Sequence, residues 1–328
     1  MCISHKEDVD GLSSAALITA AKGVDSVLLV DYANMIKVME KLISEIECGR
    51  KVNQIYICDL GLSKKNQSLF VELVRRLINL DTKVMYIDHH DLEKEVLIEL
   101  KQCGVKLIHS INECTSILIY KKFKKKLQPH AAFIAACGAL TDYMESRPVA
   151  SKIVSKFDRQ FLMLESTVLS YIISSSQHEN EFLLEIIQVL TQMKFPHDIE
   201  GGFERAEKYA RKIGFVSKAI EKSIVLGKNL ASVQNSYDLS SSMIVNFVLG
   251  FSGKQAAMVY RFKEDIGSYI ISIRGSNDNK IHLGRIVNNL SSKLGGSGGG
   301  HEKACGAVIP ESTITKFISE LDTKLSKI

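Results

Sequence analysis

The chain has 328 residues, of which 45% are hydrophobic and 24% are charged, and its formal net charge is +5. This composition fits a folded protein of two domains and excludes an intrinsically disordered chain. No apolar run approaches the roughly 18 residues that cross a bilayer, so we expect no membrane segment. The seven cysteines occur singly, without a Cys-x-x-Cys pair. This spacing excludes a zinc knuckle and a disulfide framework, and it predicts reduced thiols in a cytoplasmic protein.

The first 148 residues alternate short apolar runs with amphipathic helical stretches. We predict strands at residues 2–4, 27–30, 54–58, 83–87 and 105–108, and helices at residues 12–22, 34–48 and 66–78. Strands that alternate with helices of this length are joined by right-handed crossovers, which produce a parallel sheet covered on both faces. The predicted fold class is therefore α/β.

Two further regions follow, a helical region and connector at residues 149–236 and a smaller α/β domain at residues 237–328. The connector pattern predicts helices at residues 161–176 and 181–193, then two basic helices at residues 203–213 and 216–230. The last region has predicted strands at residues 256–261 and 269–274 and helices at residues 283–292 and 313–325. A glycine-rich stretch, residues 295–300, lies between those two helices.

Carboxylates and imidazoles follow three of the predicted strands. They are His5, Asp8 and Asp10 after the first strand, Asp59 after the third, and Asp88, His89 and His90 after the fourth, with Asp142 at the end of an apolar helix. Ligands of an open parallel sheet bind beyond the carboxyl ends of its strands, so we expect these side chains to converge. Crowded carboxylates repel one another unless protons or cations neutralise them. Mixed Asp and His ligation without a thiolate favours Mn²⁺ or a similar ion.

Each of these residues alone has a structural explanation. Asp8, Asp59 and Asp88 could each cap a helix N-terminus, and a single histidine is usually packed or solvated. Helix caps do not explain an Asp-x-Asp-Gly sequence together with Asp-His-His at successive strand ends. Two divalent cations roughly 3.5–4 Å apart in such a site clamp the attacking and leaving oxygens of phosphoryl transfer.

The glycine-rich stretch precedes His301. Backbone without side chains can approach a phosphate closely and offer it N–H groups, and His301 and a following helix start would add a donor and a favourable dipole. A flexible linker is the alternative for such a composition. The five lysines at residues 121–126 close a predicted helix, where cations complement the helix dipole on a solvated face.

Taken together, the motifs resemble those of the DHH phosphoesterase superfamily. The matching segments are His5-x-x-Asp8-x-Asp10-Gly11, Asp59, Asp88-His89-His90 and Asp142, and Gly295-Gly-Ser-Gly-Gly-Gly-His301-x-x-Ala304-x-Gly306 resembles the signature of the DHH-associated C-terminal domain. The superfamily includes RecJ-type exonucleases, small-oligonucleotide nucleases, pAp phosphatases and cyclic dinucleotide phosphodiesterases. The resemblance implies an N-terminal parallel-sheet DHH domain at residues 1–148, the connector, and a substrate-binding domain at residues 237–328.

The resemblance also implies the roles of individual residues. One metal would be held by His5, Asp8 and Asp59, and the second by Asp10, Asp59, His89 and Asp142, with Asp59 bridging the two. Asp88 would orient His89, and His90 would contact the scissile phosphate. Substrate-binding residues would be Arg274, Gly298, Gly299, Gly300 and His301.

These expectations combine into a phosphodiesterase or exonuclease that hydrolyses short single-stranded oligonucleotides by in-line attack of a metal-bridging hydroxide. Its cofactors would be two divalent cations, Mn²⁺ first, with Mg²⁺ or Co²⁺ as alternatives. Cyclic dinucleotide phosphodiesterase and pAp phosphatase are the alternative functions, because the same residues serve all three. A non-catalytic nucleic-acid-binding protein is the least favoured hypothesis, since every expected ligand type is present. The sequence leaves a homodimer open.

Overall fold

The computed structural model describes residues 1–62, 64–276, 281–300 and 302–325, and the chain forms two compact units, Met1–Tyr209 and Ala210–Ile328. The predicted α/β fold class is confirmed in both. Among the described residues, no helix combines the length and the hydropathy needed to cross a bilayer. All seven cysteines are free thiols.

The first unit is built on a five-stranded parallel sheet with the strand order β2-β1-β3-β4-β5. The strands are β1 (Cys2–His5), β2 (Val27–Val30), β3 (Gln54–Cys58), β4 (Lys83–Asp88) and β5 (Lys106–His109). Its helices are α1 (Val9–Lys22), α2 (Met35–Glu47), α3 (Lys64–Asn79), α4 (Lys94–Gln102), α5 (Thr115–Phe123), α6 (Ala131–Thr141), α7 (Ala150–Val154), α8 (Arg159–Ser175), α9 (Asn180–Thr191) and the first part of α10 (Gly202–Glu221). All five predicted strands are confirmed within a residue or so at their ends.

Successive side chains of a strand point to opposite faces of the sheet, so each strand supplies two cores. In β4, Tyr86 packs into the core formed with α2, α3 and α4, whereas Ile87 packs into the core formed with α1, α5, α6, α8 and α9. Helix α1 lies within the core that contains Ile87. It is buried around nearly its whole circumference, which explains its lack of a polar face. The first turn of α1 is thereby fixed against the carboxyl end of β1.

The second unit contains a six-stranded mixed sheet with the order β10-β11-β9-β8-β7-β6. The strands are β6 (Val225–Leu226), β7 (Leu230–Gln234), β8 (Ala256–Lys263), β9 (Ser268–Gly275), β10 (Ser297–Gly300) and β11 (Ala304–Pro310), and the helices are α11 (Ser241–Ser252), α12 (Leu283–Lys293) and α13 (Ile314–Leu325). Among the described strand pairs of this second sheet, only β7 and β8 are parallel. Helices α12 and α13 pack their apolar faces on β9 and β11.

Two predicted elements are wrong. The pair of basic helices is a single helix, α10, which continues through Gly214 because Ile213, Val216 and Ile220 are buried along one face. The segment that follows forms β6 and β7 instead of more helix, and Leu230 begins a buried strand.

Part of the glycine-rich stretch, Ser297–Gly300, forms the edge strand β10, which is antiparallel to β11 and is not a flexible linker. The backbones approach so closely that a Cβ on Gly298 would lie 2.8 Å from the carbonyl oxygen of Gly306, and one on Gly300 would lie 2.6 Å from that of Ala304. Glycine is therefore required by strand pairing here. The element after residue 301 is strand β11, so the predicted helix start is absent from these described residues.

Candidate metal centre

The predicted metal-ligating side chains lie together at the carboxyl edge of the parallel sheet. Donor atoms of Asp59, His89 and His90 lie within 4.8 Å of one another, and so do those of Asp10, His89 and Asp142. The Nε2 atom of His89 is 3.4 Å from an Asp59 oxygen and 3.4 Å from an Asp142 oxygen. A single imidazole thus joins the two groups.

His5 and Asp8 form the other side of the cluster. His5 ends β1, and its Nε2 atom lies 3.4 Å from Oδ2 of Asp8. The other oxygen of Asp8 accepts a hydrogen bond of 2.9 Å from the backbone N–H of Gly11, so Asp8 also caps α1. The helix-cap explanation therefore holds for one oxygen of Asp8 and leaves the second oxygen directed at His5.

Asp59 occupies an unusual backbone position. It follows β3 with φ of 56°, in the left-handed region that aspartate and asparagine tolerate better than most residues. Its side chain is buried, and burial together with the charges of Asp10 and Asp8 raises its pKa well above the usual range. Burial likewise raises the pKa of Asp142, and the charges of Asp10 and Asp59 add to this effect.

The donor set fits divalent cations. Burial and neighbouring carboxylates raise the pKa values of Asp59 and Asp142, and a cation among such carboxylates stabilises their charged forms. Within the part of the chain that the structure describes, the Oδ2 atom of Asp142 and the Nδ1 atom of His5 are buried without a hydrogen-bond partner. The cluster combines carboxylates with imidazoles and contains no thiolate, which is the ligand chemistry that hard and borderline divalent ions prefer.

Asp10 is held by the start of α5, a contact that no sequence motif indicated. Its oxygens accept hydrogen bonds from the backbone N–H groups of Thr115 (2.8 Å) and Ser116 (3.1 Å), and from the hydroxyl of Ser116. The hydroxyl of Thr115 donates to Asp59 at 3.0 Å. Two adjacent residues therefore position two carboxylates. The available signal was Thr-Ser before an apolar helix, which is typical of a helix start.

Asp88 is buried, and it accepts hydrogen bonds from the segments that follow β3 and β4. One oxygen accepts from the backbone N–H of Leu60 at 2.6 Å, and the other accepts from the backbone N–H of His90 at 2.7 Å and lies 3.1 Å from Nδ1 of its ring. The resemblance implies that Asp88 orients His89, and the hydrogen bonds of Asp88 described above are to Leu60 and His90. Asp88 is not a helix cap.

The His90 ring faces a second aromatic side chain, Tyr32. The hydroxyl of Tyr32 is 3.1 Å from Nε2 of His90, and the Tyr32 ring stacks on His5 with centroids 4.2 Å apart. Burial lowers the pKa of His90, but the charge and hydrogen bond of Asp88 outweigh it and raise that pKa to about 9. The sequence gives no indication of this role for Tyr32, because Tyr32 lies two residues after β2 and belongs to no recognisable motif.

The Asp88–His90 pair predicts a pH dependence of stability. A histidine whose folded pKa is raised stabilises the fold fully below its unfolded pKa of about 6.5, and the contribution is lost as the pH rises through about 9. We expect the free energy of unfolding, measured by urea denaturation in EDTA, to fall between these limits by on the order of 2 kcal/mol. In Asp88→Asn this part of the decline disappears. An unchanged decline in that variant would contradict the assignment.

Four of the five predicted substrate-binding residues lie on strands β9 and β10, which flank β11 in the second unit. Arg274 in β9 pairs with Ala304 of β11, and Gly300 of β10 pairs with Cys305 of β11. Burial raises the pKa of the Cys305 thiol to about 12, and the nearby charge of Arg274 opposes that shift. Asn288 donates to the carbonyl of Gly298 at 2.8 Å. The predicted residue His301 lies outside the described residues.

Comparison with known proteins supports the same family at both ends of the chain. The model described as DHH family, N-terminal domain, matches residues 1–141, and the DHHA1 domain model matches residues 230–327. No curated protein sequence matches the chain.

Three solved structures share the fold. A pGpG-specific phosphodiesterase, PggH, from Vibrio cholerae has a TM-score of 0.58 at 13% identity, with 99% of this chain and 98% of that chain covered. The DHH domain of a member of the S1p family of ribosomal proteins has a TM-score of 0.70 at 15% identity, with 100% and 86% covered. RecJ from Thermus thermophilus in complex with Mn²⁺ has a TM-score of 0.62 at 13% identity, and this chain covers 52% of it. The chain belongs to the DHH phosphoesterase superfamily and carries a C-terminal DHHA1 domain.

Proposed function

We propose that the chain is a metal-dependent phosphodiesterase of the exonuclease type that hydrolyses short single-stranded oligonucleotides. The observation that carries this proposal is the cluster in which His89 joins two groups of carboxylate and imidazole donors, one around Asp59 and the other around Asp10 and Asp142, at the carboxyl edge of the sheet. Carboxylates this close to one another favour a bound cation over an empty site.

We further propose the assignment of ligands to two cations. The first group is His5, Asp8 and Asp59, and the second is Asp10, Asp59, His89 and Asp142, with Asp59 shared. Divalent cations in such a site supply a nucleophile at neutral pH and neutralise charge on the phosphoryl oxygens. Mn²⁺ is the proposed ion, with Mg²⁺ and Co²⁺ as alternatives, and RecJ from Thermus thermophilus has been solved with Mn²⁺ and with Mg²⁺.

The protein's own side chains would position and stabilise the substrate. Asp88 keeps the His90 ring protonated, so His90 can donate a hydrogen bond to a phosphate oxygen as negative charge develops on it. The Tyr32 hydroxyl, 3.1 Å from Nε2 of His90, keeps that nitrogen in place between turnovers. In the DHHA1 domain, Arg274 and the backbone N–H groups of the β10 glycines would bind a substrate phosphate.

A short substrate is favoured by size. The structurally similar PggH acts on pGpG, a dinucleotide, and matches this chain over nearly the full length of both proteins. RecJ is about twice as long. Cyclic dinucleotides and pAp remain the alternative substrates, since the proposed residues would serve each of them. The unpaired cysteines favour a cytoplasmic location.

The proposal is tested by a substrate panel under one set of conditions. We expect Mn²⁺-dependent hydrolysis of dinucleotides and short single strands, measured by chromatography of the products, at rates at least about tenfold above those for pAp, cyclic dinucleotides and strands longer than about 20 nucleotides. Addition of excess EDTA should abolish the activity. Faster hydrolysis of pAp or of a cyclic dinucleotide would support the corresponding alternative function. If none of the substrates were hydrolysed, the proposal that the chain is a phosphodiesterase would be refuted.

A further inference from the structure

Five lysines at residues 121–126, which we call the lysine segment, lie at and beyond the C-terminal end of α5. The opposite end of this helix contacts the metal centre. Helix α5 begins at Thr115, which contacts the centre, and ends at Phe123, after which a 3₁₀ turn spans Lys124–Lys126. All five lysines of the segment are exposed, and within the described residues none of them forms an ion pair. The helix dipole accounts for cations in the last helical turn but not for three more beyond it.

Like charges are concentrated around this segment. Lys22 places its amine 4.5 Å from the centre of the Phe123 ring, beside the segment. Burial lowers the pKa of Lys22, and the charges of Lys126 and Lys106 lower it further. Mutual repulsion of ammonium groups is unfavourable unless an anion lies among them.

An apolar pocket opens next to the lysine segment. It has a volume of about 380 Å³ and is lined by Tyr120, Leu127, Ala132 and Phe157, with Lys124 and Lys156 among its walls. Phe157 is held in place by an edge-on contact with Phe133, at 5.3 Å between ring centroids. The volume falls within the range of small-molecule sites. A pocket of aromatic and aliphatic side chains with two lysines among its lining residues suits a planar aromatic group that carries phosphate.

We propose that this pocket and the lysine segment form an accessory binding site for single-stranded nucleic acid. One base inserts against Phe157 and Tyr120, and the phosphates on either side of it lie on Lys124, Lys156 and the rest of the lysine segment. The combination of a base-sized apolar pocket with phosphate-binding amines favours nucleic acid over a membrane surface, which would require apolar side chains that protrude. The site is separate from the residues proposed for catalysis and does not depend on them.

The test is fluorescence anisotropy of labelled single strands in EDTA. We expect Lys124→Ala/Lys156→Ala to weaken binding of a dT12 strand by about tenfold and to reduce the slope of log affinity against log salt by about one to two. The control, Lys37→Ala/Lys41→Ala, removes two exposed lysines from α2 and should leave both values unchanged. Binding of the dinucleotide dT2 should be equal in all three proteins.

A second probe separates base insertion from attraction of phosphates. An abasic strand of the same length keeps the charges and lacks the bases, and we expect the wild type to bind it at least about fivefold more weakly than dT12. Equal binding of the two strands overturns the proposal in favour of a non-specific polyanion surface. Equal affinity of the pocket variant and wild type for dT12 also overturns it, as does a loss confined to binding of phosphatidylserine vesicles. These outcomes are independent of hydrolysis, which is measured separately with dinucleotides.

Discussion

Asp59→Asn will lower the rate of phosphodiester hydrolysis by about a thousandfold or more and will abolish tight Mn²⁺ binding, yet it will leave the metal-free protein at least as stable as the wild type. The loss follows because Asp59 is proposed to be shared by both cations. The gain in stability follows because burial and the charges of Asp10 and Asp8 raise the folded pKa of Asp59. An aspartate with a raised folded pKa costs stability as the pH rises above its unfolded pKa, and an uncharged amide removes that cost.

Asparagine is the appropriate replacement because the left-handed backbone at residue 59 disfavours most other residues. The matched control is Asp81→Asn, since Asp81 is an exposed aspartate with almost the same backbone, φ of 58°. We expect Asp81→Asn to retain wild-type activity and metal affinity. The measurements are initial rates with a dinucleotide, calorimetric titration with Mn²⁺, and thermal unfolding in EDTA. A destabilised Asp59→Asn that still binds Mn²⁺ would indicate that Asp59 is structural.

The members of the centre that local sequence could identify are those that follow strands. Asp59 comes directly after the apolar strand β3, and Asp88 and His89 come at the end of β4, so strand alternation and the common edge of a parallel sheet were enough to bring them together. His5 ends the neighbouring strand β1 by the same rule. Their convergence depends only on strand order and direction, which the pattern of alternating strands and helices predicts.

The supporting residues could not be identified in this way, because their roles arise from packing between elements distant in the chain. Ser116 lies 106 positions after Asp10 and reaches it only because α5 packs beside α1. Tyr32 reaches His90 across 58 positions, from the loop after β2. The glycine-rich stretch had the composition of a loop, and only the neighbouring strand β11 makes it a strand. Composition reports local preference, whereas these contacts depend on the tertiary structure.

Gly138→Ala will destabilise the protein by about 2 kcal/mol, although replacing a helical glycine by alanine ordinarily stabilises a helix by up to about 1 kcal/mol. Gly138 lies inside α6, and a Cβ there would overlap the hydroxyl oxygen of Ser116 and lie 2.6 Å from an oxygen of Asp10. Both atoms belong to buried side chains that are hydrogen-bonded to each other, so neither can move into solvent. The substitution will therefore also shift a proposed metal ligand, and we expect weaker Mn²⁺ binding and slower hydrolysis.

The sign of the effect distinguishes this explanation from a general property of helices. Gly250 in α11 is a helical glycine at which an added Cβ would meet no atom within 4 Å, so Gly250→Ala should stabilise by about 0.5–1 kcal/mol. Ser116→Ala removes one of the two atoms that oppose the new methyl group. The double variant Gly138→Ala/Ser116→Ala should therefore lose about 1 kcal/mol less stability in urea denaturation than the sum of the losses measured for the two single variants. Strict additivity would mean that Gly138 does not press on the Ser116–Asp10 pair, and that α6 contributes to the centre only through Asp142.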